Sequence, residues 1–342
     1  MGTSSNGGTQ SVSIAEIAAE AGVSVPTVSK VLNGRPDVAA GTRARVERII
    51  ENHQYRRRRT RKSTRPAVVD LVFHEMDSAW ATEIIRGVER AAAKERAAVV
   101  LSELGGEHRP RREWFDDLLA RGPLGVILVL ADLDATQRLQ LTTRNIPFVY
   151  VDTAGEPPPG VPTVGSANWA GGLAATRHLL GLGHRRVAVI SGPTDMLCSR
   201  ARVDGYRTAM DEVGVPLRPD LIRYGNFNLH GGYHHGLDLL RQPDRPTAIF
   251  AGSDLQAFGV LRAARELGLT VPDDLSVVGY DDLPVTEWIA PPLTTVRQPL
   301  LEMATTAAQM VFTLVRGERP PSTRIDLATE LIVRESTSPP SG

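Results

Sequence analysis

Beyond residue 66 the chain sets seven short apolar runs among seven longer amphipathic stretches. The runs lie at 67–73, 98–101, 125–130, 148–151, 186–190, 248–251 and 275–279, with a further strand near 221–224. Helical periodicity occupies 80–94, 111–121, 169–182, 200–213, 233–241, 256–267 and 303–316. Strands alternating with helices of about 10–15 residues predict parallel sheets covered on both faces. So many units suit two doubly wound lobes better than one barrel, although spacing alone also permits a barrel. With 342 residues, 42% of them apolar and 23% charged, the chain can fill the cores of two or three domains.

Residues 1–66 have a different texture. They carry twelve Lys/Arg and five acids, a balance of +7. The other 276 residues hold 27 basic side chains (39 less 12) and 34 acidic ones (39 less 5), or −7. The overall charge of zero therefore conceals a basic head on an acidic body. A polyanion would be drawn to the head alone and pushed away from the body. Cys198 is the single cysteine, which excludes an intramolecular disulfide and fits a reducing cytosol. Residues 1–10 lack the apolar centre of a signal peptide, and no run reaches the roughly 18 apolar residues of a membrane span. The expectation is a cytoplasmic protein that does not enter membranes.

In the head, Ser13 and Glu16 have the spacing of a capping box, and Ile14, Ile17, Ala18 and Ala21 form one apolar face. Gly22 ends that helix, Ser24 caps the next, and Pro26 sits in its first turn. Val25, Val28, Val31 and Leu32 make the second apolar face, and a third helix is expected over 42–53. Two short helices joined by Gly-Val-Ser describe either a helix-turn-helix or an ordinary αα-corner. In the first case Ser24, Val25, Pro26, Thr27, Ser29 and Lys30 are the exposed start of a recognition helix. Its hydroxyls suit phosphate, Lys30 a guanine edge and Val25 a thymine methyl.

The stretch Ala-Gly-Val-Ser-x-x-Thr-Val-Ser-Lys-Val-Leu-Asn-Gly at 21–34 resembles the DNA-binding headpiece of the lactose-repressor (LacI/GalR) family. That resemblance implies phosphate contacts from Ser13, Ser24, Thr27, Ser29 and Asn33, and base contacts from Val25, Pro26 and Lys30. The linker departs from the family pattern. Tyr55 is present, but Arg57 replaces the expected proline, and Thr64 replaces the leucine that wedges the central minor groove open. Arg56, Arg57, Arg58 and Arg59 offer an electrostatic substitute, because arginine favours a narrow minor groove. A solvated basic tether is the other reading of the same run.

The segments 181–193, 200–210, 253–284 and 291–299 resemble the family's effector-binding core, which is similar to periplasmic sugar-binding proteins. The implied fold is an all-α helix-turn-helix headpiece plus an α/β core of two lobes, each a doubly wound parallel sheet. The expected divisions are a disordered 1–10, a DNA-binding domain at 11–55, a basic hinge at 56–66, a core at 67–336 and a flexible tail at 337–342. Within the core, lobe one takes 67–165 and 296–320, and lobe two takes 166–295 and 321–336. Crossings are expected near 165–166, 298–300 and 319–324.

By local motif, the resemblance places Arg202, Asp281 and Ser253 at the effector, with Asp152, Trp80, Phe227 and Asp77 as further candidates. Charged planar groups grip sugar hydroxyls, and aromatic faces cover C–H surfaces. Trp288 is a weaker aromatic candidate. Val129 stands where relatives place a polar group.

His230, His234 and His235 lack a nearby carboxylate or cysteine to complete a metal site, and neither catalytic nor nucleotide-binding loop motifs occur. No enzyme, metal or cofactor is expected. The expected protein is a homodimeric regulator, without the zipper a tetramer would need. It represses a carbohydrate-utilisation operon and is released from a pseudo-palindromic operator in double-stranded DNA by a sugar. Alternatives are a non-sugar effector, a corepressor, or a cytosolic sugar-binding or sugar-metabolising protein with an incidental basic arm. The two aromatic candidates favour a plant-polysaccharide sugar or short oligosaccharide.

Overall fold

The computed structural model describes residues 12–35, 37–53, 55, 67–76, 79–153 and 155–341. The head holds α1 (Ile14–Ala21), α2 (Val25–Leu32) and α3 (Ala40–Asn52). Ser13 and Glu16 close the capping box, and Gly22 takes the left-handed conformation that stops α1. Ile17, Val28, Val31, Val46 and Ile50 meet in a small core. The spacing of apolar residues thus places α3 across the back of the helix-turn-helix.

The first lobe is a six-stranded sheet in the order β11-β5-β4-β3-β1-β2. Its strands are β1 (Val68–Phe73), β2 (Ala98–Glu103), β3 (Gly125–Val129), β4 (Phe148–Val151), β5 (Thr163–Ser166) and β11 (Arg324–Leu327). Helices α4 (Ala79–Lys94), α5 (Arg112–Arg121), α6 (Ala135–Thr143) and α11 (Leu300–Val315) cover it. The second sheet runs β12-β10-β9-β8-β6-β7. It comprises β6 (Val187–Ser191), β7 (Ile222–Tyr224), β8 (Ala248–Ala251), β9 (Ser276–Asp281), β10 (Thr294–Arg297) and β12 (Glu330–Ile332). Its helices are α7 (Asn168–Gly181), α8 (Leu197–Glu212), α9 (Leu229–Leu240) and α10 (Asp254–Glu266). Every strand pair in both sheets is parallel except β10–β12. The two sheets and their helices exclude the barrel that spacing alone permitted.

Two expected boundaries need correction. The division of the lobes near 319–324 is displaced, because β11 pairs with β5 in the first sheet from Arg324 to Leu327. The chain changes lobe only between Leu327 and Glu330. The expected flexible tail at 337–342 is instead stitched to lobe two through residue 341. Ser336 exchanges bonds with Val277, its carbonyl accepting at 2.8 Å and its hydroxyl donating at 2.6 Å. The Ser338 backbone pairs with the Ser276 hydroxyl at 3.0 Å, and His184 Nε2 donates to the Ser338 carbonyl at 2.9 Å. Serines read as linker composition, yet these hydroxyls and backbone groups extend the sheet's hydrogen bonding.

Glycine sets one contact that positions the site. A Cβ on Gly172 would lie 2.2 Å from the Arg202 carbonyl, and one on Gly205 would lie 2.2 Å from the Trp169 carbonyl. Helices α7 and α8 therefore meet backbone to backbone. That close approach sets Arg202, one turn before Gly205, against the first turn of α7.

Candidate effector cleft and nucleic-acid interface

The carboxyl ends of strands from both sheets face one cavity, as open α/β sheets favour. It holds about 120 Å³ of water-accessible space. Lobe one contributes His74, Glu75, Trp80 and Asp152, and lobe two contributes Arg202, Phe227, Ser253 and Asp281. Six of the seven expected effector residues are thus brought together. The seventh, Asp77, lies outside the described residues. Trp288 does not join them and is 84% exposed on lobe two.

Arg202 is buried and fixed on all sides. Its Nε donates to Asn168 Oδ1 at 2.8 Å, and Nη1 donates to the Gly252 carbonyl. The guanidinium lies 3.7 Å from the Tyr280 ring centre and 5.2 Å from that of Phe227. Such stacking holds a planar cation rigid without consuming all its donors. Asp281 Oδ1 accepts from Gln298 Nε2 at 2.6 Å, while Gln298 Oε1 accepts from Ser166 Oγ at 2.6 Å. Asn168 Nδ2 donates to the Ser166 carbonyl at 3.0 Å. One hydrogen-bonded chain therefore links Asp281 to Arg202 through two of the segments that cross between lobes.

Burial raises the carboxyl of Asp152 to about 6, with Arg202 opposing and Asp326 reinforcing the shift. Burial also raises Asp281 above the ordinary carboxylate range, against the pull of Arg202 and Gln298. Asp254 beneath it is raised well above that range by burial and by Asp281, although Thr295 and the Leu283 N–H both donate to it. Of these acids Asp152 and Asp281 line the cavity, and a ligand that donates hydrogen bonds to them favours their ionised forms, the protons passing to solvent. Ser253 has a different position. Its hydroxyl caps α10 through Gln256 N–H at 3.1 Å and donates to the Phe227 carbonyl at 2.7 Å, so it is committed to structure. Cys198 also lines the cavity, but burial pushes its thiol up to about 12 and keeps it protonated.

Backbone strain converges on the same place. Leu130, Asp152, Phe227 and Asp281 all have positive φ, at 51°, 45°, 60° and 118°. They are four of the seven such non-glycine residues described, and all four line the cavity. Non-glycine residues enter this region at a cost, and strained backbone clusters at functional sites. Asp282, also at positive φ, is clamped by Arg297 and Arg334, each at 2.7 Å. That clamp supports the turn that aims Asp281 inward. Across the mouth, His108 Nε2 of lobe one stands 3.5 Å from Asp195 Oδ2 of lobe two. His108 stacks on His74, with ring centres 4.2 Å apart.

His74, Glu75, Asn226, Asn228, Asn168 and Gln298 escaped the sequence reading. His74 and Glu75 directly follow β1, the same strand-end position that Asp152 holds after β4, so their place in the sequence marks them as it marks Asp152. Asn226 and Asn228 flank Phe227, whereas Gln298 and Asn168 become visible only through the lobe crossings.

On the head, Ser24 accepts from the Thr27 N–H at 3.3 Å and caps α2. Ser13, Ser24, Val25, Pro26 and Lys30 are exposed, while Thr27 and Ser29 are half-buried. Lys30 reaches Asp37 at 2.6 Å, but both side chains stay about half exposed, so that pairing is weak and exchangeable. Asn33 Oδ1 accepts from Arg144 of lobe one at 2.6 Å. Tyr55 is half-buried against the head core. Arg56, Arg57, Arg58 and Arg59 lie outside the described residues.

Residues 13–58 match the family described as bacterial regulatory proteins, lacI family, and residues 176–337 match a periplasmic binding protein-like domain. The chain is 36% identical over 334 residues to the HTH-type transcriptional regulator CelR of Thermobifida fusca, covering 94% of this chain and 96% of the relative. The chain belongs to the LacI family of bacterial transcriptional regulators. Among solved structures, a transcriptional regulator CelR–cellobiose complex superposes on this regulator with a TM-score of 0.73 and 34% identity, over 95% of this chain and 99% of the other. The lac repressor dimer bound to operator and the anti-inducer ONPF superposes with a TM-score of 0.70 and 25% identity, over 96% and 100% of the two chains. The head is therefore a DNA-binding unit and the lobes a ligand-responsive core. Among the described residues, no helix is long and apolar enough to cross a membrane.

Proposed function

We propose that this regulator is a cytoplasmic homodimer that represses a carbohydrate-utilisation operon and leaves a pseudo-palindromic operator when a sugar fills the cleft. The carrying observation is the hydrogen-bonded chain from Asp281 through Gln298, Ser166 and Asn168 to Arg202. A polyol bridging Arg202 and Asp281 would pull directly on the segments that join the lobes. A relative with a cellobiose-bound structure supports a sugar as the ligand. The operator-bound dimer of another relative supports paired heads on two half-sites.

In this reading Ser13, Ser24, Thr27, Ser29 and Asn33 hold phosphates, and Val25, Pro26 and Lys30 read base edges. Arg56 to Arg59, with Tyr55, track the central minor groove. Trp80 and Phe227 cover the sugar's C–H faces, while Asp152, Arg202 and Asp281 hold its hydroxyls. The core's own residues bind and orient a ligand and perform no bond-breaking step.

A panel of mono- and disaccharides tested by thermal shift, followed by operator anisotropy with each binder, tests the proposal. A binder should release wild-type protein from DNA, whereas Arg202→Ala should bind operator normally and ignore the sugar. An unaltered sugar response in that variant would remove the cleft assignment. If the binder tightened the operator complex instead, the ligand would be a corepressor and the inducer assignment would fall.

A further inference from the structure

Beside the cavity that holds Arg202 lies a second chamber of about 330 Å³. It opens between β5, the first turn of α7, the start of α8 and β11. Asp152 and Cys198 belong to the walls of both spaces. The inner space, at about 120 Å³, is smaller than the roughly 300–1,000 Å³ of ordinary small-molecule sites. Together the two spaces fall within that range. The second chamber also carries the chemistry of sugar recognition. Trp169 lines it and remains 46% exposed, although it sits at the tightly packed junction of α7 and α8. Arg324 and Asp326 stand in the same wall, paired at 3.2 Å, and both side chains remain partly exposed. A planar cation and a carboxylate side by side offer donors and acceptors to adjacent hydroxyls.

We propose that the effector has at least two sugar rings, with one ring in the inner cavity and the next in this chamber against Trp169, held by Arg324 and Asp326. This rests on the sugar reading given above. Asp152 stands at the junction and accepts hydroxyls from both rings. Trp169 directly follows Asn168, which bonds both Arg202 and the crossing residue Ser166. A two-ring ligand therefore touches the first lobe crossing from both sides, which a single ring in the inner cavity cannot do. Ring number becomes part of the signal, separating an oligosaccharide from the monosaccharide it yields on hydrolysis.

Isothermal titration of the full-length protein with glucose, cellobiose, cellotriose, maltose and maltotriose tests this. At least one two- or three-ring sugar should bind about tenfold or more tightly than glucose. Trp169→Ala should bring that sugar's affinity down toward that of glucose, Trp169→Phe should restore most of it, and Asp326→Asn should weaken it independently. Operator binding reports that each variant is folded. Equal affinity for one and two rings, or an unchanged oligosaccharide affinity in folded Trp169→Ala and Asp326→Asn, overturns the second chamber while leaving a sugar effector intact. If none of the five sugars binds, the sugar reading falls and this inference falls with it.

Discussion

The Asp152 carboxyl, raised to about 6, gives the cleft a pH dependence of definite sign. Its folded value exceeds the ordinary 3.8, so the folded protein holds an extra proton between those pH values. Stability of the ligand-free protein should therefore fall as pH rises from about 4 to 6, then level off. Asp281, raised in the same direction, extends that trend. Sugar hydroxyls donate to the ionised form, so binding should release protons and weaken as pH falls below about 6. Titration calorimetry at pH 5.5 and pH 8, in buffers of different ionisation enthalpy, would read both effects. A pH-independent affinity with no proton release would contradict these carboxyls as acceptors. Arg202 and Asp281 were legible as residues because local motifs mark them. The commitment of the Ser253 hydroxyl to capping was not legible, since N-cap and ligand roles favour the same residue types.

The meeting of α7 and α8 depends on the absence of two side chains. Gly205→Ala would place a methyl 2.2 Å from the Trp169 carbonyl, and backbone has no rotamer with which to yield. Overpacking of this kind costs about 1–3 kcal/mol. Urea unfolding should show that loss, and effector affinity should fall as well because Arg202 shifts with α8. Gly181→Ala at the end of α7, where nothing lies within 4 Å, should leave stability unchanged or slightly raised. In the head, Ser24→Ala removes the cap of α2 and should cost about 1 kcal/mol, with a parallel loss of operator affinity. Elements with continuous apolar runs were readable from sequence, including the fully buried β3 and β9. Strands β5, β10, β11 and β12 were not, because they are three or four residues long and carry threonine, serine or charge. Helix α6 was missed although Asp134 and Gln137 form a capping box, because its apolar face is weak.

Across the whole molecule, a +7 head joined to a −7 body predicts DNA binding that is confined to one end and steeply dependent on salt. Each neutralised phosphate adds about one unit to the log–log slope. Replacing Arg56, Arg57, Arg58 and Arg59 by glutamine should flatten that slope by several units while leaving effector affinity unchanged. The two-lobe architecture followed from the alternation of strands and helices, but the position of the third crossing did not, because β11 carries no long apolar run. The central claim is that the cleft and the head share one equilibrium, and such coupling must be reciprocal, typically about 1–3 kcal/mol. The most direct measurement is the affinity of one inducing sugar for the protein, free and saturated with operator. The account predicts that operator weakens sugar binding by the same factor by which sugar weakens operator binding. A sugar affinity indifferent to bound operator would contradict it.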